Sequence, residues 1–70
     1  SINAIEVKSE KFSKIDDIKF YDLEGRLLYS EKNIMSNPYY INRQNFANEK
    51  IIFAVIQTGK YVFYEKILCE

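Results

Sequence analysis

The chain has no histidine, no tryptophan and a single cysteine among its 70 residues. The missing histidines remove the commonest general base and metal ligand, together with every Ser-His or Cys-His nucleophile pair. The one cysteine, Cys69, excludes an intramolecular disulfide and any metal site built from paired cysteines. We interpret Cys69 as a small apolar residue at the edge of the last strand rather than as a reactive thiol. We therefore expect no enzyme.

A surplus of charge is also absent, because ten basic and ten acidic residues cancel. A nucleic-acid binder normally carries excess basic charge that neutralises phosphates, so we expect protein or glycan partners and no nucleic acid. No apolar run approaches the roughly 20 residues of a membrane helix, and we expect no membrane span. Residues 1–4 lack the basic segment and apolar core of a signal peptide, so we expect any export signal to lie upstream.

Glycine and proline are scarce, with two and one residues, whereas 47% of the chain is hydrophobic, including six tyrosines and five phenylalanines. This composition argues against disorder, and the aromatic rings supply large contact areas. Seventy residues form one domain at most, and a chain this short buries only about 60% of its unfolded surface. We expect residues 1–70 to be a single domain, cut from a longer polypeptide.

Alternating apolar and polar residues predict six strands, at residues 4–9, 15–22, 26–32, 39–41, 51–57 and 60–68. We also predict one turn pinned to the core by Phe46 and a two-residue hairpin turn at Thr58 and Gly59. Short strands at regular spacing favour an all-β fold, a small antiparallel β-sandwich of the immunoglobulin-like kind. The predicted core comprises Val7, Ile18, Phe20, Leu28, Phe46, Phe53, Val55 and Phe63.

Two of the predicted strands carry information about their surroundings. Residues 51–57 form an almost unbroken apolar run, which is typical of a strand covered on both faces. The second half of the last strand is more polar at alternate positions, as at the edge of a sheet. An exposed edge strand and zero net charge would permit weak homodimerisation.

Acidic residues are the remaining candidates for chemistry. Paired-carboxylate catalysis needs two groups across a cleft with pKa values pushed apart. The adjacent Asp16 and Asp17 point to opposite faces of a strand, and we interpret both, with Asp22 and Glu24, as solvated turn residues. Carboxylates also suit calcium, but no Asp-x-Asp-x-Asp-Gly loop is present. We expect neither a metal nor a cofactor.

The tyrosines leave a binding function open. Tyr39 and Tyr40, with Tyr61 and Tyr64 downstream, could form an aromatic platform for sugar rings or a peptide. Tyrosines in a sandwich also lie at the rim, with the ring buried and the hydroxyl in water. The platform interpretation predicts a small accessory glycan- or protein-binding module.

The hairpin from Ile18 to Leu28, Ile-Lys-Phe-Tyr-Asp-Leu-Glu-Gly-Arg-Leu-Leu, is the most distinctive stretch. It resembles the "IYDLxGRLV" hairpin of the C-terminal sorting domain of the type IX (Por) secretion system. Tyr40-Ile41-Asn42 stands where that family has a short strand, and Asn45-Phe46 resembles its Asn-Leu turn. Residues 53–59 and then 65–67 resemble its final hairpin. The resemblance covers residues 4–70.

The resemblance implies a non-catalytic domain that serves as a folded address. Such domains are the C-terminal domains of longer exported proteins, which they direct across the outer membrane, so the implied partners are translocon proteins and an upstream cargo domain. The implied location is the periplasm in transit, then the cell surface or the medium. The resemblance places recognition at the two hairpins, on Asp22, Glu24, Gly25, Arg26, Lys60, Glu65 and Lys66. The alternative for the first hairpin is that Gly25 only makes the turn while Arg26 pairs across strands.

Overall fold

The computed structural model describes residues 4–7, 14–36 and 38–69, and these form six strands and one short helix. The strands are β1 (Ala4–Val7), β2 (Ile15–Tyr21), β3 (Leu27–Ile34), β4 (Tyr39–Asn42), β5 (Ile51–Thr58) and β6 (Tyr61–Leu68); a 3-10 helix spans Arg43–Phe46. All six predicted strands are present, although residues 8 and 9 of the first prediction lie outside the described residues. The prediction of an all-β antiparallel sandwich is confirmed.

The strands form two antiparallel sheets that share one core. The larger sheet has the order β3-β2-β5-β6, and β1 pairs with β4 in a two-stranded sheet. β6 therefore lies at a sheet edge, as its alternating polar residues predict. The predicted turn at Thr58 and Gly59 is wrong by one residue: Thr58 pairs with Tyr61, so Gly59 and Lys60 form the turn. Gly59 has a φ of 62°, a value that glycine adopts without strain.

The inner face of the larger sheet packs against the smaller sheet and the 3-10 helix. Ile18, Phe20 and Phe46 are buried there, and Val7, Leu28 and Phe63 are partly buried against them, as predicted. The prediction for β5 is wrong, because its core residues are Ile52, Ala54 and Ile56 rather than Phe53 and Val55. Both faces of this strand are apolar, so alternation alone does not say which one points inward.

Three aromatic rings hold the helix on the sheet. The ring of Phe20 lies 5.1 Å from that of Phe46 and 6.3 Å from that of Tyr29, centroid to centroid. The side chain of Asn42 caps the helix by accepting a hydrogen bond from the backbone N–H of Gln44 at 2.8 Å. The predicted turn pinned by Phe46 is thus confirmed as one turn of 3-10 helix, because its only buried residue is Phe46.

A polar contact links the two sheets. The hydroxyl groups of Tyr29 on β3 and Tyr39 on β4 both donate to the same carboxylate oxygen of Glu31. Burial, followed by the hydrogen bond to Glu31, raises the pKa of Tyr39 far above its ordinary value. Tyr39 therefore remains a neutral hydrogen-bond donor that ties the smaller sheet to β3.

Candidate functional site

The β2–β3 hairpin tip is organised by the carboxylate of Asp22. One oxygen accepts hydrogen bonds from the backbone N–H groups of Glu24 at 2.9 Å and Arg26 at 2.8 Å. The other oxygen accepts from Nε of Arg26 at 3.0 Å. Gly25 has a φ of 85°, and its N–H donates to the Asp22 carbonyl. Asp22 is only 4% exposed and therefore shapes the tip from within. The exposed residues Glu24, Gly25 and Arg26 form the surface of the tip.

We predict a pH-dependent loss of stability for Asp22→Asn. The backbone hydrogen bond from Arg26, then the one from Glu24, lowers the pKa of Asp22. A lowered folded-state pKa stabilises the fold above the unfolded pKa of about 3.9, and this stabilisation disappears as the pH falls. The variant should melt several degrees below the parent at pH 7, and this difference should narrow progressively as the pH falls below the unfolded pKa of about 3.9.

Thermal melts from pH 2 to pH 8 would test this prediction. Glu24→Gln is the matched control, because it neutralises an exposed carboxyl group in the same turn. A difference between the parent and Asp22→Asn that did not change with pH would contradict the assigned role of the Asp22 carboxylate.

The β5–β6 hairpin tip is anchored to the opposite end of β2. The backbone N–H of Gly59 donates to Asp16 at 2.6 Å, and the hydroxyl of Thr58 donates to the carbonyl of Lys14 at 2.8 Å. The backbone hydrogen bond from Gly59 lowers the pKa of Asp16. Lys60 is exposed, with its ammonium 5.9 Å from the ring centroid of Tyr61. The two predicted recognition hairpins therefore lie at opposite ends of the sheet.

The outer face of the larger sheet is apolar and carries aromatic rings. Cross-strand pairing sets its side chains in rows. The first row runs Leu27, Tyr21, Phe53 and Lys66, and the second runs Ser30, Lys19, Val55 and Tyr64. Ile51 pairs with Leu68 beyond the first row. We call this surface the outer face and define its apolar part as Tyr21, Leu27, Ile51, Phe53, Val55, Val62, Tyr64 and Leu68.

Much of the outer face is accessible to solvent. Tyr64 is 75% exposed and Leu27 is 50% exposed, while Tyr21 and Phe53 between them are half-buried. The smaller sheet and the 3-10 helix contribute to the core on the inner face, so neither of these described elements covers the outer one. Exposed apolar side chains that lie in neighbouring positions on one surface are typical of interaction sites.

The charges on the outer face are mainly basic. A third row pairs Lys32 with Asp17 and Asp17 with Gln57, and the ammonium of Lys19 donates to the Asp17 carboxylate. This hydrogen bond raises the pKa of Lys19. Lys32 and Lys66 are exposed. The outer face would therefore favour a partner surface that is apolar in its centre and acidic at its margin.

The sequence-predicted recognition residues divide between surfaces. Lys66 belongs to the outer face, whereas the alternating Glu65 pairs with Ala54 and points to the inner side of the edge strand. Glu24 and Arg26 lie at the tip beside Leu27. Lys60 lies at the far tip. The structure thus brings Lys66 near the β2–β3 tip and separates both from Lys60.

The predicted tyrosine platform does not form as one surface. Tyr39 is buried, whereas its neighbour Tyr40 points outward from β4, where its hydroxyl lies 3.5 Å from the Glu6 carboxylate. Tyr61 and Tyr64 are both exposed but alternate between the two faces of β6. Of these four, Tyr64 alone contributes to the outer face.

Metal-binding clusters and membrane-spanning helices are absent from the described residues. Within residues 4–7, 14–36 and 38–69, no group of three or more His, Cys, Asp or Glu side chains could hold a metal ion. Over the same described residues, no helix is long and apolar enough to cross a membrane. Cys69 is buried, and this burial raises the pKa of its thiol.

Comparison with known proteins places the chain in a family. The model of the family "Domain of unknown function (DUF8694)" matches residues 1–69. The chain belongs to the DUF8694 family. The description of that family names no function and makes no link to type IX sorting domains. No curated protein and no solved structure matches the chain.

Sequence reasoning missed the outer face of this DUF8694 domain. The sequence of β5 contains a sign of this face, because Phe53 and Val55 alternate with Ile52 and Ala54 and make both faces of the strand apolar. The neighbouring β2 and β6 show which face is exposed, because Lys19 and Lys66 occupy the same side as Phe53 and Val55. Identifying that side required the pairing of β2 with β5, which lie far apart in the chain.

Proposed function

We propose that this chain is a non-catalytic recognition domain that docks a partner protein through its outer face. More specifically, we propose a sorting and anchoring domain that directs an exported protein across the outer membrane by the type IX secretion system. Under this proposal the partners are translocon proteins, and the cargo is an upstream domain of the same polypeptide. The domain would pass through the periplasm and end at the cell surface or in the medium.

The exposed apolar outer face is the observation that carries the docking proposal. A row of aromatic and aliphatic side chains crosses three of the four strands, from Leu27 through Tyr21 to Phe53, and ends at Lys66 on β6. Burial of such side chains contributes about 1.5–3 kcal/mol each when they become fully covered. Aromatic anchors surrounded by charged residues are typical of the energetic centre of protein interfaces. This surface suits docking better than it suits bond-making chemistry.

The β2–β3 hairpin supports the more specific proposal. The residues that resemble the type IX motif fold into one unit, in which Asp22 caps the turn and Gly25 takes a positive φ. The tip also lies at the end of the outer face where Leu27 and Tyr21 pair. Glu24 and Arg26 would then supply charged contacts at the margin of the same docking surface, and Lys66 would contribute from β6.

The test is export of a reporter that carries this chain at its C-terminus. A fluorescent protein with a signal peptide would be fused to residues 1–70 and expressed in a host with a working type IX translocon and in its translocon-deficient mutant. We expect extracellular or surface fluorescence in the first host and periplasmic fluorescence in the second. The reporter without the domain is the control, and it should stay in the periplasm of both hosts.

Periplasmic retention of a folded, full-length fusion in the competent host would contradict the sorting proposal. It would leave the broader docking proposal to be tested separately, by binding of the purified domain to candidate periplasmic or surface proteins.

The accessory binding module remains the second candidate function. The rings of Tyr21, Phe53 and Tyr64 on the outer face favour it, because sugar rings and peptides also stack on exposed aromatic side chains. A module of this kind would not need the translocon for its activity. Binding of oligosaccharides or peptides that Tyr64→Ala abolishes, together with translocon-independent location of the fusion, would favour this second function.

A further inference from the structure

The outer side of β6 exposes backbone groups that a further strand could pair with. In an antiparallel ladder, alternate residues exchange hydrogen bonds with the partner strand. The N–H of Cys69 donates to the carbonyl of Lys50 at 2.7 Å, one position beyond the Ile51–Leu68 pair. The odd-numbered residues of β6 therefore bond to β5. The N–H and C=O groups of the even-numbered residues, Val62, Tyr64, Lys66 and Leu68, point away from it.

The two edge strands of the larger sheet, β3 and β6, differ in how well they are protected from pairing with a further strand. β3 is interrupted by a register shift opposite Phe20 and Tyr21, and its Asn33 has a φ of 57°. Such irregularities discourage pairing with another strand. β6 instead pairs with β5 without interruption from Tyr61 to Leu68 and contains no proline. Among the described strands, β6 is therefore the open edge of this sheet.

We propose that β6 pairs with β6 of a second copy of this chain, antiparallel across a two-fold axis that passes through Tyr64. This inference does not depend on the proposed function. An isologous contact is the simplest use of a single open edge, since each copy offers the same strand. Zero net charge leaves no overall repulsion between the copies.

Length and charge together select the register, because an axis through Val62 or Ile67 would pair only three residues of β6 with the other copy. The two-fold axis is perpendicular to the sheet and leaves each side chain on its own face, so directly opposed residues must lie on the same face. Even-numbered residues of β6 can then oppose only even-numbered ones, which places the axis at a residue of β6 and not between two residues. An axis through Glu65 or Lys66 would place that charge opposite its own copy, and an axis through Phe63 would oppose Lys60 to Lys66. Directly opposed like charges destabilise a ladder. With the axis through Tyr64, Val62 faces Lys66 and Phe63 faces Glu65 of the other copy, and no like charges oppose each other.

This register has two physical consequences. About six new backbone hydrogen bonds form between the Val62, Tyr64 and Lys66 positions of the two copies. The two four-stranded sheets become one continuous sheet. The axis is perpendicular to that sheet, so the outer faces of both copies lie side by side on the same surface. The dimer therefore doubles the area of the outer face without covering it.

Sedimentation equilibrium of the purified chain tests the proposal. We expect a concentration-dependent dimer for the parent and for Tyr64→Ala, which keeps the backbone N–H. Tyr64→Pro removes a backbone N–H that points away from β5. An edge strand tolerates proline at such a position, because the missing N–H takes no part in the pairing with β5. We expect it to raise the dimer Kd by at least about tenfold. Tyr40→Ala, at an exposed position of β4, is the control and should leave the Kd unchanged.

A disulfide test fixes the register even if Tyr64→Pro fails to fold. In a Cys69→Ala background, Tyr64→Cys should cross-link readily under mild oxidation, because two residues on the axis lie within disulfide range. Val62→Cys should not, since its partner across the interface is Lys66. A parent that stays monomeric at all concentrations, a Tyr64→Pro variant that still dimerises, or cross-linking at Val62 rather than Tyr64 would each overturn the proposal.

Discussion

Replacing Ile52 by alanine should destabilise the fold far more than replacing the larger Phe53 beside it. Ile52 is fully buried on the inner face, and truncating such a side chain costs about 2–5 kcal/mol through lost transfer energy and a residual cavity. Phe53 is only half-buried on the outer face, where solvent can occupy the space that the ring leaves. We expect a cost of about 1 kcal/mol or less for Phe53→Ala, near the typical point-mutant value.

Urea denaturation of the parent and both variants, followed by circular dichroism, would measure these costs. The two residues are adjacent in one strand, so strand propensity and chain position are matched between them. A larger loss for Phe53→Ala than for Ile52→Ala would mean that the inner and outer faces of β5 have been exchanged.

Phe20→Ala should leave the chain largely unfolded at 37 °C. The ring of Phe20 is fully buried and contacts the rings of Phe46 and Tyr29, so its loss removes the closer of two ring contacts that join the sheet to the 3-10 helix. Truncating a buried phenylalanine costs about 3–5 kcal/mol. A core of this size supplies only about 3–5 kcal/mol in total. The expected loss is therefore as large as the whole stability.

The measurement is the dispersion of backbone amide resonances in a two-dimensional NMR spectrum. Phe20→Leu is the control, because it keeps most of the buried volume and should retain a dispersed spectrum. A cooperative thermal transition for Phe20→Ala within a few degrees of the parent would contradict the central position of Phe20 in the core.

The strands could be predicted from sequence because each carries a local signal. Alternation marks β2, and Gly25 and Gly59 occupy the hairpin turns where a positive φ is needed. The displacement of the second turn by one residue has a local cause as well. Thr58 is β-branched and suits a strand, where it pairs with Tyr61 and its hydroxyl reaches the carbonyl of Lys14.

The candidate site could be predicted only in part, because it depends on contacts between distant residues. The sequence predicts that Asp22 is an exposed turn residue, yet its carboxylate is buried and accepts three hydrogen bonds. The sequence suggests that Tyr39 and Tyr40 share one platform, but successive side chains of β4 point to opposite faces and separate the two rings. The outer face exists because β2 pairs with β5, which brings Tyr21 beside Phe53. No local pattern specifies that pairing.

The most direct test of recognition through the outer face is the export of two charge variants of the reporter fusion. Leu27→Asp places a carboxylate on the outer face, away from β6 and its proposed dimer contact. Tyr40→Asp, combined with Glu6→Gln so that two carboxylates do not face each other across β1 and β4, places one at a similarly exposed position, 50% against 59%, on the smaller sheet. Circular dichroism would first establish that both purified domains are folded.

We expect the extracellular fluorescence of the Leu27→Asp fusion to fall about tenfold below that of the Tyr40→Asp fusion, because a buried unpaired charge costs an interface several kcal/mol. The Tyr40→Asp fusion should match the parent. Equal export of both folded variants would contradict the account, because it would show that the outer face is not the surface by which the domain is recognised.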